Sequence, residues 1–296
     1  VAYVGPGYDV MGLALEYIGD VIEMKLVAGK EISIQMPDSD LPTNPMENVA
    51  GVAVQSLLNE LKSDQGVKMV IQKKVAAGSG LGSSASSSAG AVFALNELLG
   101  TPFTKNQLVR FAMEGEKAAS GVIHADNVAP SLLGGFTLVR TYEPLDVINL
   151  AYPEDLSLVV VHPQIVVKTA DSKKILRREI SLATAVKQWG NVAGLVSGLA
   201  SSDYELIGRS LEDVIIEPAR SMLIPGFDQL KQSALKNGAL GCSISGSGPS
   251  VFALCANEKN TEQIADGFKQ TLLKLDIDCE VYISGINKRG CEVIEV

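Results

Sequence analysis

Apolar residues recur along this chain in two rhythms. Alternating or continuous apolar runs at 21–27, 68–75, 135–139, 156–162 and 250–255 predict strands. Apolar positions at three- and four-residue spacing predict helices over about 46–62, 84–99, 171–178, 181–200, 203–215, 227–236 and 261–275. Thr104 and Gln107 stand in capping-box register and open a further helix to about residue 119. The two kinds of element alternate irregularly, with hairpin-like strand pairs near the start. That order favours α+β layers over a regular βαβ array.

At 296 residues the chain is about twice a typical domain, which predicts two domains. The segment 141–153, with Pro144 and Pro153, is the best boundary, giving 1–152 and 153–296. Hydrophobic residues make up 46% and charged residues 20%, enough to bury a sizeable core. The net charge is −9, and neither half is basic: residues 1–150 carry 10 basic and 16 acidic side chains, residues 151–296 carry 15 and 18. A general binder of nucleic-acid backbone is thereby excluded. Cys242, Cys255, Cys279 and Cys291 form no C-x-x-C pair and have no His nearby, so neither zinc nor a disulfide scaffold is expected. A reduced, cytoplasmic protein without a signal peptide is the plain reading.

Two windows carry no charge at all, Val75 to Asn96 and Asn237 to Asn257. Gly and Ser supply 10 of the 21 residues in 75–95 and 8 of the 21 in 237–257, too polar a mixture for a membrane span. The first window contains Gly78, Ser79, Gly80, Leu81, Gly82, Ser83 and Ser84, between a predicted strand and a predicted helix. Glycines there let a ligand approach the backbone and free the torsions of a concave turn. Successive N–H groups and the positive end of the helix then suit an anion without any Lys, and a Ser at the helix start adds a hydroxyl for phosphate or Mg²⁺. The bland alternative is a small-residue turn before a tightly packed helix. The spacing matches neither the P-loop, which needs a Lys after the glycines, nor the dinucleotide fingerprint, and no nucleophile elbow occurs. The second window, residues 241–250, has the same texture and reads equally as a tight hairpin or a second binding loop.

Some polar residues sit in unusual company. Glu116 shares a helix face with Ala112, Met113 and Ala119, which places its carboxylate either at a wet edge or on a metal or cation. His124, Asp126 and Asn127 follow and read as a helix cap or as a cluster with chemistry. Gly5-Pro6-Gly7-Tyr8-Asp9 forms a turn, and Glu217-Pro218-Ala219-Arg220 a helix end. Lys168, Lys173, Lys174, Arg177 and Arg178 form the one basic cluster, ordinarily a solvated face.

Taken in order, the segments 5–9, 78–84 and 241–250 resemble the three motifs of the GHMP kinases, and the set spans nearly the whole chain. His124-Ala-Asp-Asn-Val-Ala-Pro with the following Leu-Leu-Gly-Gly, and Glu217-Pro-Ala-Arg220 with Pro225-Gly226, resemble the homoserine kinase branch. The resemblance implies a two-domain GHMP kinase fold: a ribosomal S5 domain 2-like N-terminal domain and an α/β-sandwich C-terminal domain, with the active site between them. It implies ATP and Mg²⁺ as cofactors. ATP phosphates would lie on residues 78–84, Asn48 would contact adenine, and Ser84 with Glu116 would hold the metal. L-homoserine would lie among Asp9, His124, Asp126, Asn127, Lys173, Arg220 and Gly246, with Arg220 gripping its carboxylate. Asn127 stands where many relatives carry an Asp base, which implies direct attack by the substrate hydroxyl. Two positions depart from the branch, Tyr3 in place of Asn and Lys173 in place of Arg. Another GHMP small-molecule kinase, or a catalytically silent GHMP-fold binding protein, are the competing readings, and a homodimer is left open.

Overall fold

The computed structural model describes residues 3–121, 124–167, 172 and 174–294. The first half holds strands β1 (Met11–Leu13), β2 (Val21–Val27) and β3 (Ile32–Gln35), helix α1 (Val49–Glu60), β4 (Gly66–Gln72), α2 (Ser83–Leu98), α3 (Lys105–Ser120), α4 (Val128–Leu133), β5 (Phe136–Tyr142) and β6 (Leu145–Leu150). Strands β2, β4 and β3 form one sheet in that order, antiparallel then parallel, and β1, β5 and β6 a second. Alternate residues of the first sheet, Ile32, Ile34, Val67, Met69 and Ile71, meet Leu57, Ala89, Leu95, Leu108 and Ala112 from α1, α2 and α3. Small residues let these helices approach closely: a Cβ at Gly115 would strike the Val49 carbonyl. Thr104 and Gln107 make the full capping box at the start of α3.

In the second half come β7 (Ser157–Pro163), α5 (Leu182–Ser201), α6 (Tyr204–Ser210), α7 (Glu217–Arg220), α8 (Phe227–Lys236), β8 (Gly241–Ile244), β9 (Val251–Cys255), α9 (Thr261–Leu273) and β10 (Cys279–Gly285). The strands form an antiparallel sheet in the order β10-β7-β9-β8. Its central strands are buried on both faces, which is why β7 and β9 read as continuous apolar runs rather than alternating ones. Val159, Val161, Val251 and Ala253 pack with Phe227, Leu230, Ile264 and Phe268 of α8 and α9. Leu158, Val160, Phe252 and Leu254 face the other way, against Leu195, Leu199 and Ile207 of α5 and α6.

That second face also receives Met11, Leu13 and Phe136 from the first half, so one core is built from both parts of the chain. The end of the chain returns to the first half as well. Leu15 bridges Ile286, Gly135 N donates to Asn287 O at 2.7 Å, and Lys105 Nζ donates to the carbonyls of Arg289 and Cys291. The helix expected over 203–215 ends at Ser210, because residues 211–216 form an irregular turn around the Asp213 carboxylate. Of the helix expected over 171–178, residues 171 and 173 lie outside those described, 172 and 174 are helical, and 175–178 leave the helix as a turn and bends. Among the described residues no helix is long and apolar enough to cross a membrane.

Candidate active site

The 78–82 loop is a concave turn with Gly78, Gly80 and Gly82 all at positive φ, near +80°. A Cβ at Gly78 would meet open space, whereas one at Gly80 would run into the Ser245 carbonyl. At Gly82 it would lie 2.9 Å from Asn127 Oδ1, so the amide of Asn127 sits directly over the loop. Helix α2 begins here with no side chain capping it and no acidic residue in its first turn, leaving its first N–H groups and positive end directed at the loop. Ser83 turns inward and donates to Val75 O at 2.8 Å. Ser79 is buried, and its carbonyl accepts from Ser250 Oγ at 2.6 Å.

Ser84 Oγ instead faces α3 and donates to Glu116 Oε2 at 3.1 Å. Glu116 is buried, and burial pushes its carboxyl up to about 7 against the pull of the Ser84 hydrogen bond and of Lys73. A buried carboxylate and a hydroxyl at the foot of an anion cradle form a donor set of the hard oxygen type that suits Mg²⁺. Lys73 lies behind them. Its ammonium pairs with buried Asp20 at 2.6 Å and donates to Ser83 O at 2.9 Å and Ser87 Oγ at 3.0 Å. Burial lowers its pKa, and Asp20 opposes that shift. Nothing in the sequence marked Lys73, because its partners lie 53 and 10–14 positions away.

A second cluster lies on the other side of Asn127. Asp9, His124 and Asp126 bring ligand atoms to within 4.8 Å of one another, with His124 Nδ1 3.5 Å from Asp9 Oδ1. Asp126 is 3% exposed, and its Oδ1 has no hydrogen-bond partner among the described residues. Burial, with Asp9 adding to it, raises the Asp126 carboxyl to about 7. Such a cluster suits a cation. Tyr142, which the sequence did not single out, straps its two loops: the hydroxyl donates to Asp9 O at 3.0 Å and accepts from Ala125 N at 3.3 Å.

Arg220, at the end of α7, is also buried. Its Nη1 donates to Gly246 O at 2.9 Å, and Nη2 and Nε lie 3.4 Å from Tyr8 Oη and Ser172 O. Gly246 belongs to the loop between β8 and β9, which is laid against the first glycine loop. Ser245 Oγ donates to Gly80 O at 2.7 Å, and a Cβ at Gly246 would lie 2.8 Å from that same oxygen. Because Ser250 Oγ donates to Ser79 O, the 3.2 Å contact between it and His162 Nδ1 is donated by the imidazole. Asn48 sits at the start of α1, whose Val49 carbonyl packs against Gly115, the neighbour of Glu116. It caps α1 through Ala50 N at 2.9 Å and donates to Pro42 O at 2.6 Å, so its amide is already committed to the 42–48 loop. Lys173 lies outside the described residues.

The profile of the GHMP kinases N-terminal domain matches residues 48–135, and that of the GHMP kinases C-terminal domain matches residues 195–273. A homoserine kinase of Chlorobium phaeobacteroides (strain BS1) is 43% identical, over 99% of this chain and 97% of its own length. The chain is a GHMP kinase. A homoserine kinase of Methanococcus maripaludis (strain S2 / LL) is 39% identical over the whole of this GHMP kinase and 96% of its own length. The crystal structure of homoserine kinase from Cytophaga hutchinsonii superposes with a TM-score of 0.94 at 46% identity, covering 98% of this chain and 93% of that one. The fold described above is therefore the GHMP kinase fold, and all three family motifs lie in one connected site.

Proposed function

We propose that this GHMP kinase transfers the γ-phosphoryl group of ATP to the side-chain hydroxyl of L-homoserine. The observation that carries the reading is the position of Asn127, wedged between the phosphate loop at Gly82 and the Asp9–His124–Asp126 cluster. A phosphate on the loop and an ammonium on the cluster would face each other across that amide. Homoserine carries an ammonium, a carboxylate and a hydroxyl on one short chain. The cluster takes the ammonium, and the orphaned Asp126 oxygen gains its partner. Arg220, with one N–H uncommitted on each terminal nitrogen, takes the carboxylate.

The loop 78–84 and the start of α2 would hold the β- and γ-phosphates by backbone N–H groups. Asn48 would support the nucleotide side by fixing the 42–48 loop. Mg²⁺, when bound at Ser84 and Glu116, would neutralise charge on the phosphates. Asn127 cannot accept the hydroxyl proton, since an amide is not a base at neutral pH. It orients the hydroxyl instead. As the new O–P bond forms and the bridging bond to ADP breaks, the proton passes to a γ-phosphoryl oxygen. Four free cysteines are in keeping with a reducing, cytoplasmic setting.

The test is ADP release against homoserine, mevalonate, galactose and shikimate, with and without Mg²⁺. Turnover with homoserine alone, and only with the metal, is the expected result. Good turnover with another acceptor, or nucleotide binding without any turnover, would sink the reading. Asn127→Ala should lower kcat about 100-fold through lost orientation while leaving the Kd for ATP within about twofold. Small, equal losses in both would count against the role given to the amide.

A further inference from the structure

Tyr3 is 1% exposed, and its two ends are engaged differently. The hydroxyl donates to Asp213 Oδ2. The ring meets Tyr8 edge to face at 5.6 Å, and the Arg220 guanidinium carbon lies 5.7 Å from the Tyr3 centroid and 4.8 Å from that of Tyr8. Arg220 thus sits against two aromatic rings, a contact that favours a guanidinium and narrows its rotamers.

Asp213 is the hub beneath it. Besides Tyr3, its carboxylate accepts from Gln188 Nε2 at 2.8 Å and from the backbone N–H groups of Ile215, Ile216 and Glu217 at 2.8, 3.1 and 2.8 Å. Those N–H groups lead into α7, the four-residue helix that ends in Arg220. A helix that short has no stability of its own, so its place is set by the groups that hold it. Gln188 Nε2 also donates to Pro6 O at 3.0 Å, which ties the hub to the turn that carries Asp9. On the far side, Glu217 pairs with Lys231 and accepts from Ser243 Oγ at 2.6 Å. One buried carboxylate therefore fixes the backbone of α7, and the residue bonded to that carboxylate also lines the guanidinium.

We propose that Tyr3 and Asp213 are positioning residues for the acceptor's carboxylate, acting through Arg220 without touching substrate themselves. The proposal rests on the assignment of Arg220 to that carboxylate. It also accounts for the aromatic residue at position 3: the side chain is turned away into the support of Arg220 rather than across the acceptor pocket.

The experiment compares homoserine with 3-aminopropan-1-ol, which has the same hydroxyl and ammonium but no carboxylate. Tyr3→Phe deletes one oxygen, and Asp213→Asn keeps the shape of the hub. Each should raise KM for homoserine about tenfold, the effect of one charge-assisted hydrogen bond. KM for ATP, and kcat/KM for 3-aminopropan-1-ol, should stay within about twofold. A purely structural role would lower the melting temperature and weaken both acceptors alike, and that result overturns the proposal. So does an unchanged KM for homoserine in both variants. Arg220→Lys separates the two layers: if it leaves the preference for homoserine over 3-aminopropan-1-ol intact, the assignment of Arg220 itself has failed. If it abolishes the preference while Tyr3→Phe and Asp213→Asn do not move it, the assignment stands and the positioning role is lost.

Discussion

Asp126 concentrates the conflict between stability and binding in one side chain. Its carboxyl titrates near 7 in the folded protein against an ordinary 3.8, chiefly because it is buried. Below about pH 4 the group is protonated in folded and unfolded chains alike, and burial of the carboxyl carries no ionic penalty. As pH rises from 4 toward 7 the unfolded chain ionises first, so the ligand-free fold loses stability, by an amount on the order of 3 kcal/mol. Asp126→Asn removes the penalty, and above pH 7 it should raise the melting temperature of the ligand-free protein while weakening homoserine binding. An ammonium selects the ionised carboxylate, so the wild-type Kd for homoserine should rise about tenfold from pH 8 to pH 6. Calorimetry without nucleotide checks both statements, and the pH dependence should vanish in Asp126→Asn. A flat wild-type profile would remove Asp126 from the ammonium's partners. The sequence exposed Asp126 as part of a cluster. It could not show that one carboxylate oxygen is orphaned, because the walls that bury it come from β1 and α4: a Cβ at Gly12 would strike the Asp126 carbonyl.

At the scale of elements, the glycine loop owes its shape to two neighbours that are distant in sequence. Gly82 lies under the Asn127 amide, and Gly80 under the Ser245 carbonyl, while nothing lies over Gly78. All three have positive φ, so an alanine at any of them strains the backbone by about 1–2 kcal/mol. Only at Gly80 and Gly82 does a methyl group also displace a neighbour. Gly82→Ala should therefore lower kcat about 100-fold by moving Asn127, whereas Gly78→Ala should act mainly on the KM for ATP. Steady-state kinetics on the two variants decides it, and equal effects on kcat would argue against contact between loop and amide. The strands at 21–27 and 250–255, the capping box at Thr104 and the loop before α2 were all legible in the sequence, because local rules set them: apolar runs, a cap in register, glycines at a strand–helix junction. What holds the site together was not legible. Lys73 behind the loop, Tyr142 beside Asp9 and Asp213 beneath α7 act over separations of 10 to 210 residues, and each alone reads as an ordinary residue of its strand, turn or helix.

For the whole molecule, the division of the sequence near residue 152 does not mark a division of the core. Phe136, Met11 and Leu13 from the first half pack with Leu158, Phe252 and Leu195 from the second. The end of the chain then crosses back, with Asn287 N donating to Ala14 O at 3.0 Å and a Cβ at Gly290 reaching the Leu132 carbonyl. An N-terminal piece cut at residue 152 would expose that shared apolar face and lose the strand-like partner beside β1. Apolar area on this scale contributes about 25 cal/mol per Å², and a domain's net stability is only about 5–15 kcal/mol, so neither half can forgo it. The intact chain should unfold in a single calorimetric transition, with van't Hoff and calorimetric enthalpies in agreement. Residues 1–152 expressed alone should show no cooperative melting. Two separate transitions would mean that the shared core contributes little. The site gives the coupling its consequence: phosphate loop, Asn127 and Asp9 belong to the first half, Arg220 and Gly246 to the second. On the proposed assignments ATP and acceptor would be bound across a joint that the shared core holds closed, and a melt with homoserine and nucleotide together should raise the whole transition rather than split it.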